Sequence, residues 1–380
     1  MATYGTEYLK AKNRKQVFDL FLKQQILSRA EIVQKTDMSF PTVSKTVDFL
    51  LSRGIVREAE EAGKSAGTGT GLGRKRQMLH FNPEAYCALS LNFEGQYLDM
   101  GLVDLSSHLL CKKTIQFDTF CDHGANRKLA AQMRQLLRRA PCPVLGAGIG
   151  LPASVDSGTG IILSFENGGV ATPVDVRELF AGMADQIDLP LFVENDVNLA
   201  CRGESVCRGS TEAPSSLCYL TLGTGFGAGI MLNGRLWKGA GNRAGEIGHM
   251  LVNTHDGALC AIEDVIGLPA IDRRFGLRLL EKPELTQAQK DAIIDFLLDP
   301  MAQSLYNVFC LFDLEHFILA GYLPELLGPP LLDRLQAAVN RMLQKNRNAI
   351  CLSVPSTGYN ALIGAADLVF GKTILDELMD

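Results

Sequence analysis

Between Thr221 and Met250 the chain reads TLGTGFGAGIMLNGRLWKGAGNRAGEIGHM, nine glycines set among short apolar runs. Glycine at that density costs chain entropy, so the backbone there has to come close to something. The stretch ends on Glu246 and His249, three residues apart and able to share one helical turn. Upstream, LPLFVENDVNLACRGE runs as an apolar strand into Glu194, Asn195 and Asp196 and then a helical pattern. Polar residues at strand ends are where open α/β folds place ligands. A glycine turn with a carboxylate and an imidazole, and elsewhere an amide beside a carboxylate, point to a small-molecule site. Taken singly, Asp196 reads equally well as a helix N-cap and His249 as a satisfied core histidine.

The elements that must position these residues alternate. ALSLNF, YLDMGLVDL and LLCKKTIQF follow one another as strands, Gly124 to Arg139 is an amphipathic helix, and VLGAGIGLP is a buried strand leading into a turn. A second glycine-rich hairpin at 217–233 follows the END segment. Strand pairs, then αβ alternation, then another hairpin predict two α/β lobes with a cleft between them. Residues 285–346 read as several helices, the first starting from a Thr286 cap, with apolar faces for the larger lobe and a subunit interface.

The first 82 residues differ in character. Asn13 to Gln25 has apolar residues at helical spacing, and Ser28 with Glu31 forms a capping-box pattern for a second short helix. Ser39 can cap a third helix through Leu51, with Pro41 in its first turn. Val43, Val47, Leu50 and Leu51 make its inward face, while Thr42, Ser44, Lys45, Thr46 and Asp48 mostly face out, with no bulky outward residue expected. IVREAE and RQMLHF can pair as a wing. Three short helices with such a third helix suit a winged helix-turn-helix reading base edges through Ser39, Pro41, Thr42, Ser44 and Lys45. The alternative is a small bundle that binds a protein or nothing. The loop 63–77 is a flexible basic linker whose Arg74, Lys75 and Arg76 can enter a narrow minor groove.

Charge follows the same division. Residues 1–82 carry fourteen Lys and Arg against eight Asp and Glu, a net of +6, so the rest carries −11 of the overall −5. A basic piece on an acidic body suggests an anionic partner for the first piece alone. The N-terminus lacks the apolar core of a signal peptide, no apolar run reads as a membrane span, and the ten cysteines contain no CxxC pair. A cytoplasmic protein with reduced thiols is expected.

LGTGFGAGI, then NG, then GNRAGEIGHM resemble the signature of the ROK family (repressors, open reading frames and kinases). VENDVNLA at 193–200 is similar to that family's sugar-binding segment, and GAGIGLPASVD at 146–156 to its preceding strand and turn. The resemblance spans about residues 84–370, and the N-terminal helix-turn-helix matches its repressor branch. It implies an actin-like, ribonuclease-H-like two-lobed ATPase-type fold binding a sugar between the lobes. On that basis 1–62 is the DNA-binding domain, its wing closing with 75–82. Residues 83–197 plus 361–380 make the small lobe, and 198–360 the large one. The resemblance places Asn195, Asp196, Glu246 and His249 at sugar-ligand positions, Asp196 at the kinases' general-base position, and Glu263 near the final sugar-binding Glu. Pocket shape around Gly150 to Val155 and Glu166–Asn167 would set which sugar.

Two departures bear on chemistry. The kinases' DxGGT phosphate loop corresponds here to Asn92-Phe93-Glu94-Gly95-Gln96, with Asn92, Glu94 and Gln96 replacing the metal-facing Asp, a glycine and the Thr. A carboxylate aimed at a triphosphate repels it, and losing the glycine keeps the backbone away from phosphate. Relatives also carry three cysteines that complete a zinc site with the histidine; here DGALCAIEDVIG leaves Cys260 with His249, too few for four ligands. His255 reads as a surface histidine. No ATP and no zinc is therefore expected. The resulting expectation is a non-enzymatic, sugar-responsive repressor binding double-stranded operator DNA as a homodimer or homotetramer. A sugar kinase is the runner-up, and a regulator signalled by a protein partner a third reading.

Overall fold

The structure, a computed structural model, describes residues 3–58, 77–117, 123–165, 172–184, 186–212, 214–253, 259–343 and 349–375. The expected arm at Arg74, Lys75 and Arg76, with Glu166, Asn167 and His255, lies outside them.

The N-terminal elements are α1 (Thr3–Lys23), β1 (Ile26–Ser28), α2 (Arg29–Lys35), α3 (Phe40–Ser52), β2 (Val56–Glu58) and β3 (Met78–Phe81). Ser28 and Glu31 close the capping box that starts α2, in both directions. Ser39 precedes α3 without a side-chain cap bond; its hydroxyl instead meets that of Thr42 at 2.9 Å. Val43, Val47 and Leu50 are fully buried. Two side chains depart from the expected outward face. Thr46 is buried, its hydroxyl donating to the Thr42 carbonyl at 2.9 Å. Phe40, 57 % exposed, stands at the start of the helix where nothing bulky was expected. β3 pairs antiparallel with β2 as a wing, and β1 adds a third strand on its other side.

The first lobe runs β4 (Cys87–Glu94), β5 (Tyr97–Asp104), β6 (Leu109–Gln116), α4 (His123–Leu137), β7 (Val144–Leu151), β8 (Ala153–Asp156), β9 (Ile161–Phe165), β10 (Val174–Asp175), α5 (Val176–Leu179), α6 (Ala181–Ala184) and β11 (Leu191–Asn195). Then come α7 (Asp196–Glu212), β12 (Leu217–Leu222), β13 (Phe226–Leu232), β14 (Arg235–Leu236), β15 (Leu251–Asn253), β16 (Leu259–Ala261), α8 (Glu263–Ile266) and α9 (Leu268–Phe275). The chain finishes with α10 (Gln287–Phe312), β17 (His316–Ala320), α11 (Tyr322–Leu327), α12 (Pro329–Leu343), β18 (Cys351–Ser353) and α13 (Asn360–Phe370). Thr286 closes a capping box on α10, which then continues through Pro300 as one helix.

Both five-stranded sheets have the same plan. In β11-β7-β4-β5-β6 and in β14-β13-β12-β17-β18, the first three strands in chain order form an antiparallel meander and the last two add on parallel to the first. Two copies of one sheet plan define the actin-like, two-lobed α/β architecture. The core of each lobe is separate: Leu89, Leu91, Ile149 and Val193 anchor the first, and Leu220, Ile230, Leu305 and Leu319 the second.

Helices α7 and α13 cross between the sheets, and glycine makes the crossing close. A Cβ on Gly203 would lie 1.9 Å from the Asn360 carbonyl oxygen, and one on Gly364 1.9 Å from that of Leu199. The N-terminal domain is not separate from this body. Val17, Phe18 and Phe21 of α1 share one apolar core with Ala88 and Val103 of the first sheet and with Ala366, Val369 and Phe370 of α13. Among the described residues, no helix is long and apolar enough to cross a membrane.

Candidate sugar-binding cleft

The expected site residues arrive from three directions. β11 delivers Asn195 at its last position, and α7 starts at Asp196. The Asn195 Oδ1 accepts the Asn198 N–H at 2.9 Å, so Asn195 caps α7, the role the sequence reading allowed for Asp196. Its Nδ2 donates to the Ala153 carbonyl at 3.3 Å, which ties the strand end to β8. Asp196 is half-buried, with Oδ1 accepting its neighbour Val197 N–H at 2.9 Å.

Glu246 and His249 come from the turn after β14. Glu246 starts a single 3-10 turn over Ile247–His249, and its carbonyl accepts the His249 N–H at 3.2 Å. Gly245 makes this possible. Its φ is +97° and a Cβ there would sit 1.9 Å from the Ala228 carbonyl, while its own carbonyl accepts the Ala228 N–H at 2.9 Å. The glycine motif thus lays the Glu246 turn directly on β13. His249 is exposed, not a core histidine, and its Nε2 lies 3.4 Å from Glu263 Oε1. The other Glu263 oxygen covers Gly248 and Gly225, where Cβ atoms would come within 2.6 and 3.4 Å of it. Glu263, the first residue of α8, therefore joins the glycine turn to the Glu246 turn.

Asn195 and Glu246 line one cavity of about 20 Å³ between the lobes, together with Ala153, Ser154, Asn198 and Asn242. The His249–Glu263 pair lies a few residues beyond its Glu246 wall, and Asp196 borders it in sequence without lining it. Ser154 falls in the 150–155 stretch expected to shape the pocket, whereas Asn242 and Lys238 were not singled out from the sequence. Ser154 donates across the cleft to the Asn242 carbonyl at 3.3 Å. Asn242, hidden in a run of glycines, holds φ +56°, a conformation asparagine tolerates better than most residues. Lys238 reaches from beyond β14 to the first lobe, bonding Ser157 Oγ and the buried carboxylate of Glu194. Glu194 in turn accepts the Asn195 N–H at 3.0 Å and the Asn198 Nδ2 at 3.3 Å. Lys238 is one of three cations in the glycine-rich stretch, with Arg235 and Arg243, and nothing in its spacing singles it out.

The stretch 92–96 folds as a β4–β5 hairpin, Glu94 opposite Tyr97 around Gly95 at φ +57°. Asn92 is buried against Gly150, and among the described residues its Oδ1 finds no partner. The Glu94 carboxyl sits above the usual carboxylate range, first because protein crowds it and then because Asp99 and Glu325 face it; Lys112 offsets part of this. Glu325 belongs to α11 of the second lobe, so carboxylates approach from both sides. These residues do not fit a triphosphate, which needs glycine backbone and cations at that point. Nor do the donors fit a closed zinc site: His249 faces Glu263, and Cys260 Sγ lies 4.0 Å from the Val252 carbonyl. Among the described residues no three His, Cys, Asp or Glu side chains cluster as metal ligands.

A two-lobed actin-like body with this glycine-backed cleft has known counterparts. The ROK family model matches residues 89–372, and the chain belongs to the ROK family. The xylose repressor of Caldicellulosiruptor bescii is 28% identical over 262 residues, 65% of this chain and 60% of that one; the Bacillus subtilis xylose repressor is 25% identical over 249 residues, 65% and 62%. The chain thus spans about three fifths of these relatives' length. Among solved structures, a ROK family transcriptional regulator homologous to the E. coli MLC protein superposes with a TM-score of 0.74 at 19% identity, covering 97% of each chain. A ROK family glucokinase from Streptomyces griseus, solved with glucose and AMPPNP, matches with a TM-score of 0.59 at 23% identity, over 74% of this chain and 98% of that one. At those identities the two likenesses speak for the fold.

Proposed function

We propose that this protein is a sugar-responsive transcriptional regulator, a repressor released from operator DNA when a sugar enters the cleft. The observation that carries this reading is the chemical split of the cleft. One end gathers amides, a hydroxyl and a carboxylate (Asn195, Asn198, Asn242, Ser154 and Glu246), the groups a sugar's hydroxyls require. The other end gathers Glu94, Asp99 and Glu325, which oppose a phosphoryl donor. Asn195, Asp196, Glu246, His249 and Glu263 are the proposed sugar ligands. The cavity of about 20 Å³ is far below the ~300 Å³ of a usual ligand pocket, so sugar entry requires the lobes to part before they close on it.

The DNA end of the reading rests on α3. Ser39, Pro41 and Lys45 are exposed at its start, with Thr42 and Ser44 half-exposed beside them. Arg74, Lys75 and Arg76, outside the described residues, are the proposed minor-groove cations. Two copies reading two half-sites make a homo-oligomer the working state. Because the relatives are xylose repressors, xylose is the first sugar to test. The kinase reading has the shared fold in its favour, and the carboxylates at 94 and 325 against it.

The test is a thermal-shift and calorimetric screen of monosaccharides, N-acetylated sugars and their phosphates on the full chain. A stabilising sugar is expected to release a duplex selected by the protein from a randomised pool. Glu246→Ala and Asp196→Ala are expected to weaken that sugar by about tenfold or more, the loss of one or two charge-assisted hydrogen bonds, and to leave duplex binding intact. Sugar-dependent ATP consumption by the wild type overturns the reading in favour of the kinase. Absence of any sugar binding favours a protein-signalled regulator.

A further inference from the structure

We propose that the crossed pair α7–α13 is a lever that carries the state of the cleft to the DNA-reading domain, with Arg202, Asp367 and Lys15 as its positioning residues. The proposal rests on the regulator reading above and names how that site is coupled to DNA. Its input end is covalent: α7 starts at Asp196, and its cap is Asn195, which lines the cavity. A ligand gripping Asn195 pulls on the first turn of α7.

The middle of the lever is interlocked at two levels. Gly203 and Gly364 bring the two helix backbones into direct contact, with no space for a Cβ on either side. Packed backbones of this kind shift together or not at all. Next to the crossing, the fully buried Glu204 of α7 accepts the Ser356 N–H at 2.8 Å, the Ser356 hydroxyl at 2.9 Å and the Asn360 Nδ2 at 2.6 Å. The segment leading into α13 is thereby fixed to α7. Farther along, Arg202 Nε pairs with the Asp367 carboxylate and its Nη2 donates to the Asp367 carbonyl at 3.3 Å. Rotation of α7 is therefore transmitted whole to α13.

The output end is apolar with a charged edge. Ala366, Val369, Phe370 and Ile374 pack in the same core as Val17, Phe18 and Phe21 of α1, which also holds Val43 and Val47 of the reading helix. On the edge, Lys15 pairs with Asp19 at 3.1 Å and lies in the field of Asp367. Burial disfavours the Lys15 charge, yet Asp367 and Asp19 together raise its affinity for the proton against Arg202. Burial likewise works against the Asp367 carboxylate, and Arg202 and Lys15 outweigh it, holding it below the usual range. Asp367 thus pairs directly with Arg202 of the sugar-side helix, and its charge is felt at longer range by Lys15 of the DNA-side helix.

The test has a ligand-free arm and a coupling arm, both on the full chain. In the first, hydrogen exchange of the wild type is expected to show α1 and α13 opening as one unit, α1 exchanging about tenfold faster in Asp367→Asn and in Lys15→Met while the first sheet is unchanged. Arg202→Lys, which keeps the charge, is expected to preserve the wild-type pattern. Independent opening of α1 and α13 in the wild type, or no effect of either substitution, overturns the lever whatever the sugar does. In the second arm, the selected duplex and the sugar with the largest thermal shift give a coupling factor, the ratio of sugar dissociation constants with and without DNA. The wild type is expected in the range of about 5- to 150-fold. Asp367→Asn and Lys15→Met should bring the factor towards one with each separate affinity within about threefold of wild type. A factor unchanged in both variants overturns the lever. A wild-type factor of one overturns the sensor reading instead, and the exchange arm still decides whether α1 and α13 move together.

Discussion

Two turns bracket the cleft, each built around a glycine at positive φ, and they have opposite surroundings. Gly245, φ +97°, is pressed onto the Ala228 carbonyl, and the turn it starts carries Glu246 into a cavity of amides and hydroxyls. Gly95, φ +57°, has nothing within 4 Å of where a Cβ would be, and the turn it makes carries Glu94 towards Asp99 and Glu325. One turn is held by its neighbours. The other is an ordinary hairpin tip with a like-charge cluster beside it. The fold is shared with solved ROK kinases, yet the two turns differ in what holds them: Gly245 is pressed onto β13, and Gly95 is held by nothing within 4 Å.

The largest effect expected from breaking this contrast is at Lys238. It spans the lobes to a carboxylate, Glu194, that is 3 % exposed. Lys238→Met leaves that charge buried and unpaired, a cost of about 3–5 kcal/mol. Chemical denaturation of the full chain measures it. Lys238→Arg, which can still pair, should recover most of the loss. If Lys238→Met is as stable as the parent, the two lobes are not joined at this point.

A smaller and more direct test compares the two glycines. Gly245→Ala places a methyl 1.9 Å from a backbone oxygen in addition to a positive φ, and neither can relax without moving β13. A loss of about 2–4 kcal/mol is expected. Gly95→Ala has the unfavourable φ alone and should lose about 1 kcal/mol. Equal losses would mean that the Gly245 turn is not held by β13.

How much of this was legible in the sequence follows from the range of the forces involved. The capping box at Ser28 and the cap at Thr286 were readable because every partner lies within three residues. So was the alternation that becomes the first sheet, because strand burial follows period two or a continuous apolar run. The motif glycines were visible as a pattern, but their reason was not: Gly245 answers to Ala228 and Gly203 to Asn360, contacts no local spacing reveals. Lys238–Glu194 and Arg202–Asp367 join residues 44 and 165 apart in sequence, so each ion looked like a surface charge until the lobes were assembled. Phe40 failed for a different reason. An aromatic residue at the first position of an amphipathic helix is read as core, and here that position faces out.

The smallest expected effect lies at the open end of the contrast, and it carries a sign. Glu94 is exposed at its edge, yet its carboxyl holds its proton more tightly than an ordinary glutamate because of the protein packed around it, then Asp99 and Glu325. A carboxyl whose folded-state value is raised binds more protons folded than unfolded, from about pH 4.3 upward to the raised value. Stability therefore falls as pH rises through that window, and the loss persists at neutral pH. Glu94→Gln removes the ionisation and with it the loss. The variant should melt slightly above the parent at about pH 7 and level with it at about pH 4, and sugar binding should be untouched. Glu325→Gln, which relieves only part of the repulsion on Glu94, should raise the melting temperature at about pH 7 by less than Glu94→Gln does, and combining the two should give less than the sum. Should Glu94→Gln instead melt level with the parent at both pH values, the carboxylates of the two lobes do not sense one another. The phosphate end would then lack the repulsion that sets it apart from the sugar end.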